Sequence, residues 1–144
     1  MKKHIIPAFV VAAAFIADLV TKNLALKHLG FYDRYDFFGG FVRFDLTYNQ
    51  GGVFGIMQGY KNFFLIVSVI VLLIMVAYYF YEKLMPALFR VAMALIIGGA
   101  LGNIYDRLIP GTFNIADAVI IAGAILLVIV VYMEDKRRLA EKEN

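Results

Sequence analysis

Cysteine is absent from this chain of 144 residues. That excludes a disulfide, a thiolate nucleophile and any cysteine-based metal site. Serine occurs once, as Ser68 inside the run "FFLIVSVIVLLIMV", far in sequence from either histidine. His4 and His28 flank the first apolar segment and do not stand at the helical spacing of a metal-binding pair. Ser-His catalysis and a histidine zinc site are therefore set aside. No linker, internal repeat or low-complexity tract divides the chain, which reads as one membrane domain over residues 1–144. If it performs chemistry, carboxylates must carry it.

Charge is also scarce, at 17% of residues with a net of +3, whereas 62% are hydrophobic and the mean hydropathy is +0.78. A soluble domain of this size could not hide so much apolar surface. Four apolar runs, at about 5–26, 63–81, 87–104 and 115–133, are each near the ~20 residues that cross a hydrocarbon core. The first follows Lys2 and Lys3 and could pass for a signal peptide, but its internal "DLVTK" and the lack of a small-residue cleavage site argue for a retained helix. Lysines and arginines gather at segment ends, as in helix anchoring, so nucleic acid is not expected as a partner.

An even number of spans puts both termini on one side. That side carries Lys2, Lys3, Lys83, Arg90, Lys136, Arg137, Arg138 and Lys142. The other carries Lys22, Lys27, Arg34, Arg43, Lys61 and Arg107, mostly in one long loop diluted by Asp33, Asp36 and Asp45. The undiluted "DKRR" tail makes the terminal side cytoplasmic. The loop of residues 27–62 is then extracytoplasmic. Its "FVRFDLTY" alternates apolar Val42, Phe44, Leu46 and Tyr48 with polar Arg43, Asp45 and Thr47, between "FFGG" and "NQGG" turn signals. That period predicts a small extracytoplasmic β-sheet over about 37–56. The expected fold is an all-α membrane protein of four transmembrane helices carrying that sheet.

Against this apolar background, residues 102–121, "GNIYDRLIPGTFNIADAVII", carry Asn103, Asp106, Arg107, Asn114 and Asp117. Ionisable groups at membrane depth are costly and usually face a partner or a substrate path. The turn near Pro110 and Gly111 makes spans three and four antiparallel, bringing Asp106 and Asp117 to similar depth near the outer interface. Two carboxylates brought close share a proton; one can deprotonate water while the other protonates a carbonyl oxygen. Each Asn precedes its Asp by three residues and shares its helix face. A blander account is a helix-end ion pair of Arg107 with either acid, with Asn114 as the N-cap of span four. In the first span Asp18 and Lys22 stand at i and i+4, as an intrahelical pair with Lys22 snorkelling outward, or with Asp18 orienting a substrate. An ion-coupled transporter would instead favour acids at the midplane and broken helices.

Four stretches together resemble lipoprotein signal peptidase (signal peptidase II). "DLVTK" at 18–22 is similar to the family's D-x-x-[ST]-K, and "YNQGGVFG" at 48–55 to its N-x-G-x-x-F loop, with Asn49, Gly51 and Phe54 in place. "GGALGNIYDR" at 98–107 is similar to the G-N-x-x-D-R box, and "FNIAD" at 113–117 to the F-N-x-A-D box. The resemblance implies an aspartic endopeptidase of the bacterial cytoplasmic (inner) membrane, multi-pass, needing no metal and no cofactor. Its substrate would be diacylglyceryl-prolipoprotein, cut before the lipidated cysteine. Other partners would be membrane lipid and the peptide antibiotics that inhibit the family.

By position, Asp117 is one catalytic aspartate and Asp106 the candidate for the other. Asn103, Arg107 and Asn114 line the site, Asp18 and Lys22 lie beside it, and Asn49 with Gly51 belongs to the substrate-contacting loop. One departure bears on activity. The family has a longer segment between the D-R and F-N-x-A-D boxes, with a "V-V-D-F"-like stretch that supplies the usual partner acid; here "DRLIPG" runs directly into "TFNIAD". The chain has lost that segment and an acid with it, or the stretch has been left out of it, or it uses Asp106 instead. The first two leave activity impaired. The alternative to a peptidase is a catalytically deficient relative that binds lipidated peptide without cleaving it.

Overall fold

The computed structural model describes residues 2–28, 34–37, 39, 42–45, 60–109 and 115–143. A short 3-10 turn, Lys2–His4, leads into α1 (Ile5–His28); α2 (Lys61–Tyr81), α3 (Ala87–Leu108) and α4 (Ile115–Glu143) follow. All four are long and apolar enough to cross a membrane. Their large apolar side chains are mainly on the outside: Phe9 and Ile16 on α1, Ile66, Leu73 and Phe80 on α2, and Ile125 and Val128 on α4 are all exposed. Such a surface needs lipid as its solvent. The protein is a multi-pass membrane protein.

Hydropathy marks these helices less completely than backbone bonding does. The third apolar run fades at about residue 104, yet α3 continues to Leu108, and α4 runs about ten residues past the fourth to Glu143. At the first of these ends the polar residues stay helical because they find lateral partners. At the second, the chain leaves the apolar zone and an exposed Arg137–Glu141 pair lies along the last turns. Between α2 and α3, Pro86 stands at the N-cap of α3, where its missing N–H costs nothing. The Arg90 guanidinium closes that turn by donating to the Met85 carbonyl.

The sheet expectation is corrected. The membrane part of the described residues is four helices, and no β-sheet over 37–56 is found among the described residues beyond one short strand pair. What the loop shows is β1 (Arg34–Phe37) and β2 (Val42–Asp45), four residues each, paired antiparallel from Arg34 opposite Asp45 to Phe37 opposite Val42. An isolated two-stranded ribbon has marginal stability of its own. The alternation in "FVRFDLTY" marks one pairing strand but supplies no further strands for a sheet. Residues 46–56, the rest of the predicted sheet, lie outside the described residues.

α3 is the centre of the bundle, in contact with α4, α1 and α2. Lipid tails are as apolar as leucine, so helices in a bilayer associate through close backbone approach. The core is accordingly rich in small residues: Ala14, Ala92, Ala94, Ala100 and Ala116 are buried, beside Met85, Met93 and Val130. A Cβ at Gly98 would stand 2.7 Å from that of Ala14 and 2.9 Å from the Val11 carbonyl oxygen, so α1 crosses α3 where only glycine fits. One turn on, Gly102 would place a Cβ 2.7 Å from an Asp18 carboxylate oxygen. The same glycine face that draws the helices together thus brings a charge into their core.

Candidate active site

Asp18 is fully buried, at 0% exposure, and Lys22, one turn on, is 5% exposed. The Lys22 ammonium pairs with Asp18 Oδ2 within α1 and also with Asp106 Oδ1 at the end of α3. Lys22 does not snorkel outward, as one reading of its spacing allowed. The bundle turns it inward because two carboxylates on adjacent helices would otherwise face each other without a cation. The second oxygen of Asp18, Oδ1, accepts the backbone N–H of Ala116 at 3.0 Å. Thr21, between them in sequence, returns its hydroxyl to the carbonyl of Ala17 at 2.8 Å and takes no part in the cluster.

Asp117 occupies the first turn of α4, where the helix dipole favours a negative charge. Asn103 Nδ2 donates to Asp117 Oδ1 at 2.7 Å. Sequence spacing alone paired Asn103 with Asp106, three residues on in the same helix. The close contact of α3 with α4 sends its amide across the interface instead. Arg107 ends α3, where a cation suits the carbonyl pole of the helix, and its Nη1 donates to the Asn103 carbonyl at 2.6 Å. Both Asp117 and Asp106 lie within its electrostatic range.

One end of the bundle therefore gathers Asp18, Lys22, Asn103, Asp106, Arg107 and Asp117 from three helices. Asn49, Gly51 and Asn114 lie outside the described residues. Among the described residues no three of His, Cys, Asp or Glu could together hold a metal ion. The acids differ in what they can do. Asp18 has both oxygens engaged and no access. Asp106 is held by Lys22, its side chain 15% exposed. Asp117 is partly exposed and accepts from the uncharged Asn103 amide, with the Arg107 charge in range; it makes no ion pair with Lys22. Sequence reasoning did not foresee the Ala116 amide as the partner of Asp18, nor Gly102 as its seat; a glycine inside an apolar helix was the available signal.

A family profile described as "Signal peptidase (SPase) II" matches residues 10–133. The chain belongs to the signal peptidase II family. Among its relatives, the lipoprotein signal peptidase of Staphylococcus haemolyticus is 32% identical over 71% of this chain and 65% of its own length. That of Staphylococcus carnosus is 36% identical over 68% of this chain and 62% of its own. The chain thus spans a little under two thirds of the length of these curated relatives. A solved structure described as a bacterial membrane enzyme, determined by the in meso method at 2.3 Å resolution, superposes with a TM-score of 0.76 at 27% identity. That superposition covers 91% of this chain and 90% of the other. The family resemblance carried by the four sequence boxes is thereby established.

Proposed function

We propose that this chain acts on diacylglyceryl-prolipoprotein as an intramembrane aspartic endopeptidase centred on Asp117. The observation that carries this reading is the Asp117 carboxylate: partly exposed, at a helix N-terminus and oriented by Asn103 from the neighbouring helix. Family membership supplies the substrate class. As base, Asp117 takes a proton from a water molecule whose oxygen attacks the carbonyl carbon preceding the lipidated cysteine. A second, protonated carboxyl protonates the carbonyl oxygen as the tetrahedral intermediate forms. Collapse breaks the C–N bond: the cysteine amine leaves with the proton that Asp117 had taken, and the hydroxyl formed from the carbonyl oxygen returns its proton to the second carboxylate as C=O re-forms.

Asp106 is the other acid of the α3–α4 end and the candidate for that second role. Its ion pair with Lys22 favours a second reading, that the chain binds lipidated peptide without cleaving it. To serve as proton donor, Asp106 would have to leave the ammonium that stabilises its charge. In either reading Asn49, Gly51, Asn103, Arg107 and Asn114 line the peptide's path. The chain forms one membrane domain with both termini cytoplasmic and the acids near the outer interface, bathed in membrane lipid. The family's peptide antibiotics would compete for the same groove.

The test is a gel-shift assay with a diacylated prolipoprotein, on this chain and on its Asp106→Asn and Asp117→Asn variants. Cleavage lost in both variants makes Asp106 and Asp117 the working pair. Binding without cleavage, with turnover restored when an aspartate-bearing segment is inserted between Gly111 and Phe113, selects the second reading. Neither binding nor cleavage, in a folded protein, removes both.

A further inference from the structure

We infer that Asp18 is a positioning residue for Asp117, capping the first turn of α4 from a different helix. The inference rests on reading Asp117 as the catalytic carboxylate. The first four N–H groups of any helix lack intrahelical acceptors. In an aqueous loop, water would satisfy them; in a bilayer each must find a protein partner. Ala116 is fully buried, at 0% exposure, and its N–H finds Asp18 Oδ1 at 3.0 Å. A carboxylate there is both a charge-assisted acceptor and a favourable charge for the helix pole.

Ala116 is the residue immediately before Asp117, so the backbone that Asp18 holds is the backbone that carries the catalytic side chain. Asp18 itself is held on three sides. Lys22 takes Oδ2, the Ala116 amide takes Oδ1, and on the third side Gly102, by lacking a side chain, makes the room that the carboxylate fills against α3. Lys22 extends the same link to Asp106 at the end of α3. The outer ends of α1, α3 and the beginning of α4 are thereby joined through one buried ammonium and one buried carboxylate. With no exposure to substrate, Asp18 acts on Asp117 through the Ala116 amide. The first-helix box is therefore a device for setting the depth and direction of Asp117, not part of the peptide's path.

The experiment measures site-resolved amide exchange in detergent micelles for the full chain, Asp18→Ala, Asp18→Asn, and the double variant Asp18→Asn with Lys22→Gln. Losing the acceptor in Asp18→Ala should raise exchange at Ala116 roughly tenfold to hundredfold, as expected for a hydrogen bond to a charged group. Amides at residues 92–95, in the middle of α3, should be unchanged. Asp18→Asn keeps an acceptor for Ala116 but turns an amide N–H toward the Lys22 ammonium, and should be nearly as disturbed. In the double variant the carbonyl oxygen of the introduced glutamine accepts that N–H while its own amide N–H donates to Asp106, the place Lys22 held, and Ala116 exchange should return to within about threefold of the parent. Where the parent turns over substrate, the disturbed variants should lose kcat with KM nearly unchanged. Unchanged exchange at Ala116 in folded Asp18→Ala overturns the inference, as does an equal rise along all of α3 and α4, or no recovery in the double variant. Exchange reads the cap whether or not the chain cleaves, so a failed cap and a failed assignment of Asp117 are separable.

Discussion

Replacing Gly102 with alanine should destabilise the protein, although alanine is the better helix former. The gain from helix propensity is about 1 kcal/mol. Against it, the new Cβ would stand 2.7 Å from Asp18 Oδ2, 3.1 Å from Asp18 Cγ and 3.0 Å from Ala116 Cβ. Overpacking of this kind costs about 1–3 kcal/mol. Asp18 cannot yield without loosening its bond to the Ala116 amide, and a buried donor left unsatisfied costs a further 1–3 kcal/mol or so. The net loss is about 1–5 kcal/mol, centred near 3. Equilibrium denaturation by SDS in mixed micelles would measure it, alongside Asp18→Ala and the variant combining Gly102→Ala with Asp18→Ala. Removing the Asp18 carboxylate takes away the closest contact and leaves only the 3.0 Å approach to Ala116 Cβ, so in that background Gly102→Ala should cost clearly less than in the parent. A Gly102→Ala protein as stable as its parent, or additive costs in the double variant, would refute the reasoning.

Lys22→Met should be among the most damaging substitutions, at about 3–5 kcal/mol, because it strands two carboxylates in the bundle; the same SDS titration reads it, and a cost below 1 kcal/mol would show the cluster to be hydrated. Asn103→Ala removes the donor that orients Asp117 and should lower prolipoprotein cleavage, or lipopeptide affinity if nothing is cleaved, by roughly tenfold, with thermal unfolding in detergent showing only a small loss of stability. Arg137→Ala should change stability by no more than about 0.5 kcal/mol, because its pair with Glu141 is 71% and 64% exposed; a larger loss in thermal unfolding would mean that the end of α4 is docked.

Single residues show how far the sequence could be read. Asp117 and Asp106 were legible as candidates because acids are rare in such an apolar chain, and rarity near a membrane interface is itself a chemical signal. The i, i+4 relation of Asp18 and Lys22 was legible as a pair, since helical spacing is local. Their relation to Ala116 and Asp106 was not, because it joins three helices through contacts that no periodicity encodes. Asn103 shows the same limit, pointing along its helix by spacing and across the interface in fact. The alternation in "FVRFDLTY" predicted a sheet, but only Val42–Asp45 of it is a described strand, paired with Arg34–Phe37 alone, because a sheet depends on partners that one strand cannot specify.

By itself, the sequence determined the solvent, the number of helices and the chemical vocabulary. Hydrophobic length decides whether a segment must lie in lipid, and the absence of cysteine and the scarcity of serine and histidine leave carboxylates as the reactive groups. Only the tertiary structure decided how those carboxylates are divided. Gly98 and Gly102 allow α1 to approach α3 so closely that Asp18 enters the core, where both of its oxygens are consumed by Lys22 and the Ala116 amide. Lys22 then engages Asp106, and Asp117 is left with a neutral amide and partial exposure. Three aspartates with the same intrinsic chemistry thus acquire different surroundings, because packing places a different cation, amide or opening beside each.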